Sequence, residues 1–168
     1  MTRRPPLALL LICVLLPGSA AAQAVDYGAV YLRSWHLGTD TLNDATPGLA
    51  FGRRWAAGES GRELHLEGGV FLNSYDEISP LLLGGVSWPF AEAGPGTLRI
   101  GASLGAARYE SRARQLRADY AIPDLGGFLP LAALSASYRI GRTDLRLTTV
   151  PPGEGVTAVF NFSLSRAF

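Results

Sequence analysis

The sequence predicts an all-β protein, an eight-stranded antiparallel up-and-down β-barrel that spans a membrane. Three observations carry that expectation. After Ala24 the residue pattern alternates with period two, the period of a strand and not of a helix. Segments of this kind recur eight times, with Gly, Pro, Asn and Asp clusters between them. The connections between them alternate in length, as in a barrel that keeps tight turns on one side and long loops on the other.

Composition sets the outer bounds. A chain of 168 residues suits one domain with a real core. A net charge of +1 is no electrostatic footprint for DNA or RNA, so no nucleic-acid partner is expected. With 48% hydrophobic and 17% charged residues, the composition is not that of a disordered chain.

Residues 1–24 read as a cleaved secretory signal peptide. Arg3 and Arg4 precede an apolar run from Leu7 to Leu16, Pro17-Gly18 breaks it, and Ser19-Ala20-Ala21-Ala22-Gln23-Ala24 supplies a small-residue A-x-A end. Cys13 lies inside the run with Val14-Leu15-Leu16 after it, so it does not mark a lipoprotein processing site. Cleavage after Ala24 removes that cysteine and leaves residues 25–168 as an exported barrel that needs no disulfide.

The strands are expected over residues 26–36, 48–55, 63–74, 79–88, 96–109, 129–140, 143–150 and 156–168. The fifth sets Leu98, Ile100, Ala102, Leu104 and Ala106 against Arg99, Gly101, Ser103, Gly105 and Ala107. The last sets Val156, Ala158, Phe160, Phe162, Leu164, Arg166 and Phe168 against Thr157, Val159, Asn161, Ser163, Ser165 and Ala167. Each has two faces in two different environments. No segment after Ala24 carries the ~20 apolar residues of a membrane helix.

Such strands close into a small barrel, and two solvents compete for its apolar face. A lipocalin-like soluble barrel turns that face inward; a membrane barrel turns it outward. Several segments reach the ~9–11 residues that cross a bilayer when tilted. The chain ends on Phe168 in an aromatic-rich strand, which resembles the terminal assembly signal of bacterial outer-membrane barrels. Connections 37–47 and 110–128 are long, and 56–62, 89–95 and 141–142 are shorter. The membrane barrel, a monomer in the outer membrane of a Gram-negative cell among its lipids, is the expectation. With a periplasmic N-terminus, odd strands run outward, and the ends of strands one and three bring His36, Asn73 and Ser74 to one extracellular rim. There a histidine base could activate a serine, or the three could be ordinary polar rim residues.

The segments around these residues resemble the lipid A palmitoyltransferase (PagP) family of Gram-negative outer membranes. Ser34-Trp35-His36 resembles its first-strand Trp-His motif, and Thr46-Pro47-Gly48-Leu49-Ala50-Phe51-Gly52 the Pro-Gly-rich start of its second strand. Asn73-Ser74-Tyr75 followed by Pro80 resembles its Asp-Ser-Trp segment, and Pro130-Leu131-Ala132 and Val150-Pro151-Pro152-Gly153 its later proline landmarks. The resemblance implies an acyltransferase that moves a palmitoyl-type chain from a glycerophospholipid donor to lipid A, with the lumen holding the chain and no cofactor. It implies His36 as base and Ser74 as the catalytic serine. Asn73 stands where the family has an aspartate; Asp76, or more distantly Asp40, is a compensating acid. The family's helix before strand one and a proline early in that strand have no counterpart. The alternative is a non-catalytic outer-membrane barrel with a structural, adhesive or lipid-binding role.

Other motifs carry less. Gly101-Ala102-Ser103-Leu104-Gly105 has the G-x-S-x-G pattern, but it lies in a strand and both histidines precede it. His65 belongs to a wall, and with 2 His and no mature cysteine no metal site is expected. Asn161-Phe162-Ser163 is a sequon inside a strand. Arg108, Arg112, Arg114 and Arg117 crowd the long connection after strand five. They form either a solvated loop or, through Arg112, Arg114 and Arg117, a bidentate site for lipid A phosphates.

Overall fold

The computed structural model describes residues 24–120, 125–150 and 157–168. Residues 1–23 of the expected signal peptide and the Pro151-Pro152-Gly153 landmark lie outside them. Eight strands run in chain order: β1 (Ala24–Leu37), β2 (Gly48–Ala56), β3 (Glu63–Leu72), β4 (Ile78–Ala93), β5 (Gly96–Arg108), β6 (Phe128–Ile140), β7 (Thr143–Val150) and β8 (Ala158–Ala167). Every neighbour is antiparallel, and β1 pairs with β8 to close the barrel. The up-and-down architecture read from the alternation is the one observed.

Two connections differ from the sequence reading. Residues 110–128 do not form a loop throughout: Glu110–Tyr120 is a helix, α1. Its sequence is too polar to show an apolar stripe, so hydrophobic periodicity does not reveal it. Connection 89–95 is shorter than expected because β4 runs on to Ala93, past a register shift between Pro89 and Ala91. Such a bulge absorbs the proline, which cannot donate to a ladder.

Closure gives every side chain a choice of lumen or exterior. The exterior carries Leu49, Phe51, Leu82, Leu104, Leu134, Leu145 and Leu164, all exposed. Trp35 and Phe128 lie toward the loop end, and Trp88, Phe90 and Phe168 toward the turn end. An apolar band on a closed barrel is what a bilayer stabilises, because closure lets strands pair their backbone groups within the wall. The barrel's apolar face thus points outward, opposite to a lipocalin-like arrangement.

The lumen is divided along its axis. Its turn-end half holds interlocked charges. Arg139 bonds Glu63 (2.8 and 3.0 Å) and Asp144 (2.8 and 2.9 Å), and Arg54 reaches Asp144 at 2.7 Å. Above these, fully buried Glu67 accepts from Arg146 at 2.8 and 3.0 Å, from Tyr27 at 2.9 Å and from Tyr31. Arg146 also donates to Ser163 at 3.1 Å. Toward the loop end the lining turns apolar, with Phe71, Leu81, Leu83 and Leu131 around Tyr31. The Glu67–Arg146 pair is therefore the floor of an apolar upper chamber.

Removing one partner of a buried ion pair leaves the other charged and unpaired, which costs about 3–5 kcal/mol. Glu67→Ala should lower barrel stability by about that amount in urea unfolding from detergent micelles, and Glu67→Gln, which also leaves Arg146 without its counter-charge, should lower it too.

Candidate active site

The site begins with a change of face in β1. Up to Tyr31 the odd-numbered residues turn inward, so Tyr27, Ala29 and Tyr31 are buried and Val30 and Leu32 exposed. The pairing with β8 then slips between Tyr31 and Arg33. Beyond this bulge the even-numbered residues turn inward: Ser34 and His36 are buried, and Trp35 and Leu37 face out. A bulge inserts one unpaired residue and so re-aims everything after it. Unbroken alternation would put His36 on the lipid side.

Ser74 lies in the tight turn between β3 and β4, and its Oγ is 2.8 Å from His36 Nε2. His36 Nδ1 is 2.8 Å from Oδ1 of Asp44, in the connection after β1. A carboxylate only accepts, so Nδ1–H donates to Asp44 and Nε2 is left to accept from the Ser74 hydroxyl. The second Asp44 oxygen takes Arg33 Nη2 at 3.0 Å. The His36 hydrogen bond, and then Arg33, hold the Asp44 carboxyl below the usual carboxylate range. The arrangement is a serine, a base in contact with it and an acid orienting the base.

His36 and Ser74 thus come together. Asn73 does not join them, and the third position belongs to Asp44, which the sequence reading does not name. The fully buried Asn73 is spent on its own turn. Its Oδ1 accepts from the backbone N–H of Tyr75 at 2.8 Å and of Glu77 at 3.1 Å. Its Nδ2 donates to Ser79 Oγ at 2.9 Å and Glu77 Oε2 at 3.3 Å. An aspartate could not make those last two bonds as donor. Asp76 is not the compensating acid either, because its carboxylate faces Asn43. Both His36 nitrogens are already engaged, so no place is left for Asp40. The sequence signal for Asp44 was weak: an acid eight residues beyond the histidine in a connection that folds back over the rim.

The rim is tied to α1 through Glu77, whose carboxylate accepts from the Ser111 hydroxyl and from Ser111 N–H at 3.1 Å. Those bonds hold the Glu77 carboxyl below its ordinary value. The arginines of the long connection scatter along this helix. Arg112 lines the cavity beside Ser74 and bonds Gln115 at 2.8 Å. Arg114 is exposed and lies 3.5 Å from Glu110, and Arg117, in the last turn, is partnered too. His65 faces inward and meets Ser103 Oγ at 3.0 Å, far down the wall and with no carboxylate bond on its ring. No cluster of metal-ligating side chains occurs among the described residues.

A cavity of about 650 Å³ opens at the triad, lined by Ser74, His36, Phe71, Tyr109, Leu131 and their neighbours. Outward-facing Pro130, Ala132 and Leu104 also border it. The cavity lining thus takes in residues of the outer face as well as the rim.

No protein-family model matches the chain, and no curated protein sequence does. Among solved structures it is similar to the Yersinia pestis outer membrane protein Ail in a phospholipid bilayer nanodisc. The identity is 8% and the TM-score 0.41, over 87% of this chain and 100% of that one. The functional reading rests on the site.

Lowered carboxylates make the rim sensitive to acid. Asp44 and Glu77 have folded pKa values below their unfolded ones, so their stabilisation is full above the unfolded range, about pH 4, and is lost as pH falls through the folded values. Hydrogen exchange should therefore accelerate in the rim connections and the start of α1 below about pH 4, with the strands still protected.

Proposed function

We propose that the chain is an outer-membrane acyltransferase that moves a palmitoyl-type chain from a glycerophospholipid to lipid A, as its resemblance to the lipid A palmitoyltransferases implies. The observation that carries the reading is the Asp44–His36–Ser74 relay, at 2.8 Å on each side of the imidazole. It faces a largely apolar cavity at the rim of a membrane barrel.

In the first half-reaction Ser74 Oγ attacks the ester carbonyl of the donor while His36 Nε2 takes its proton. The tetrahedral intermediate collapses as His36 returns that proton to the departing lysophospholipid oxygen, and an acyl ester is left on Ser74. In the second, His36 deprotonates a lipid A hydroxyl, which attacks the acyl-serine; the proton returns to Ser74. Asp44 keeps the imidazole in the required tautomer and stabilises its cation. The upper chamber, floored by Glu67 and Arg146, receives the acyl chain. Arg112 borders the cavity where a lipid phosphate would lie, and a planar guanidinium suits such a group.

The test is mass spectrometry of lipid A from Gram-negative cells with and without the chain. An added acyl chain should appear with wild type and be absent with Ser74→Ala or His36→Ala. Asp44→Asn should cut the rate by about 10⁴, because the wrong imidazole tautomer is then favoured. Asn73→Asp should not compensate for it, because residue 73 does not reach the histidine. Lipid A unchanged by wild type, with every donor tried, would leave the chain a non-catalytic barrel with a lipid-binding or structural role.

A further inference from the structure

The serine and the acid of the triad sit on two separate rim segments, and His36 bridges them only if those segments keep their separation. Asn43, beside Asp44, joins the two. Its backbone N–H donates to Ser74 O at 3.1 Å, and its Nδ2 donates to Asp76 Oδ1 at 2.6 Å. Its Oδ1 is taken by Ala45 N–H at 2.8 Å, which fixes the amide with its nitrogen toward Asp76. On the other side Asp76 has φ of 60°, the one positive value outside glycine among the described residues. Left-handed backbone costs an L-residue energy, and it persists where surroundings impose it, often at functional sites. Here it closes the turn, with Asp76 N–H on Asn73 O at 3.0 Å, and swings the carboxylate over to Asn43.

We propose that Asn43 and Asp76 are positioning residues for the acyl transfer, a clasp that sets the distance between Asp44 and Ser74. The proposal rests on the acyltransferase reading. The clasp is solvent-exposed, so it adds little to barrel stability; its effect is geometric. Displacement of a catalytic group by about 1 Å costs on the order of 10²-fold in rate.

The experiment compares Asn43→Ala, Asp76→Gly and Asp76→Asn in the full-length barrel, with folding confirmed by heat-dependent gel mobility. Asp76→Gly keeps the left-handed backbone without strain and removes the acceptor. Asp76→Asn keeps both an oxygen acceptor and tolerance of that backbone. The expected result is a kcat about 10- to 100-fold lower for Asn43→Ala and for Asp76→Gly, with KM within about twofold. Asp76→Asn should restore near-wild-type kcat, and the double variant should be no slower than either single one. Wild-type kcat in the two singles, additive losses in the double, or an Asp76→Asn as slow as Asp76→Gly would overturn the clasp. Each variant is also titrated with a fluorophosphonate, which labels an activated serine without lipid. A wild type that labels Ser74 but transfers no acyl chain sinks the acyltransferase reading alone; the labelling rates then decide the clasp by the same comparison.

Discussion

Everything in this molecule follows from ladder closure, which leaves each side chain only two destinations. A closed wall satisfies its backbone internally, so the outer residues are free to be apolar and the inner polar ones find partners among themselves. The Glu67–Arg146 pair, with Tyr27, Tyr31 and Ser163 around it, is the fullest case of that pairing. The same rule makes the bulge after Tyr31 consequential. One inserted residue sends His36 into the lumen and Trp35 into the lipid.

The site is assembled at a border between two environments. Below it lies a charged floor, and beside it a largely apolar cavity bordered by residues of both faces of the wall. Three rim segments supply one residue each, His36 from a strand end and Asp44 and Ser74 from connections. Loops held by a rigid barrel are a common setting for chemistry, since the scaffold fixes their ends. Here the loops also hold one another. Asn73 shapes the turn behind Ser74, and Glu77 carries that order on to α1.

Strand alternation made most of the fold legible. Leu98 to Ala107 and Phe160 to Ala167 divide between the two faces as their spacing requires. The misses have physical causes. Helix α1 is too polar to show an apolar stripe, and β4 hides its last residues behind Pro89. Face assignment by parity fails after Tyr31, because no glycine or proline announces that bulge. His36 and Ser74 were legible as a pair through topology and resemblance. Asp44 was not, since a loop residue has no periodicity to betray where its carboxylate goes. Asn73 drew attention only because of its neighbour, and its true partners lie within its own turn.

The central claim is that Ser74, made nucleophilic by His36 and Asp44, carries an acyl chain. It is tested most directly by exposing the purified barrel to phospholipid alone, quenching in acid within milliseconds to seconds, and measuring the mass of the Ser74 peptide. The account predicts one acyl ester on Ser74, chased off by added lipid A and missing in His36→Ala. An unmodified Ser74 at every quench time, or an adduct that forms equally without His36, would contradict it.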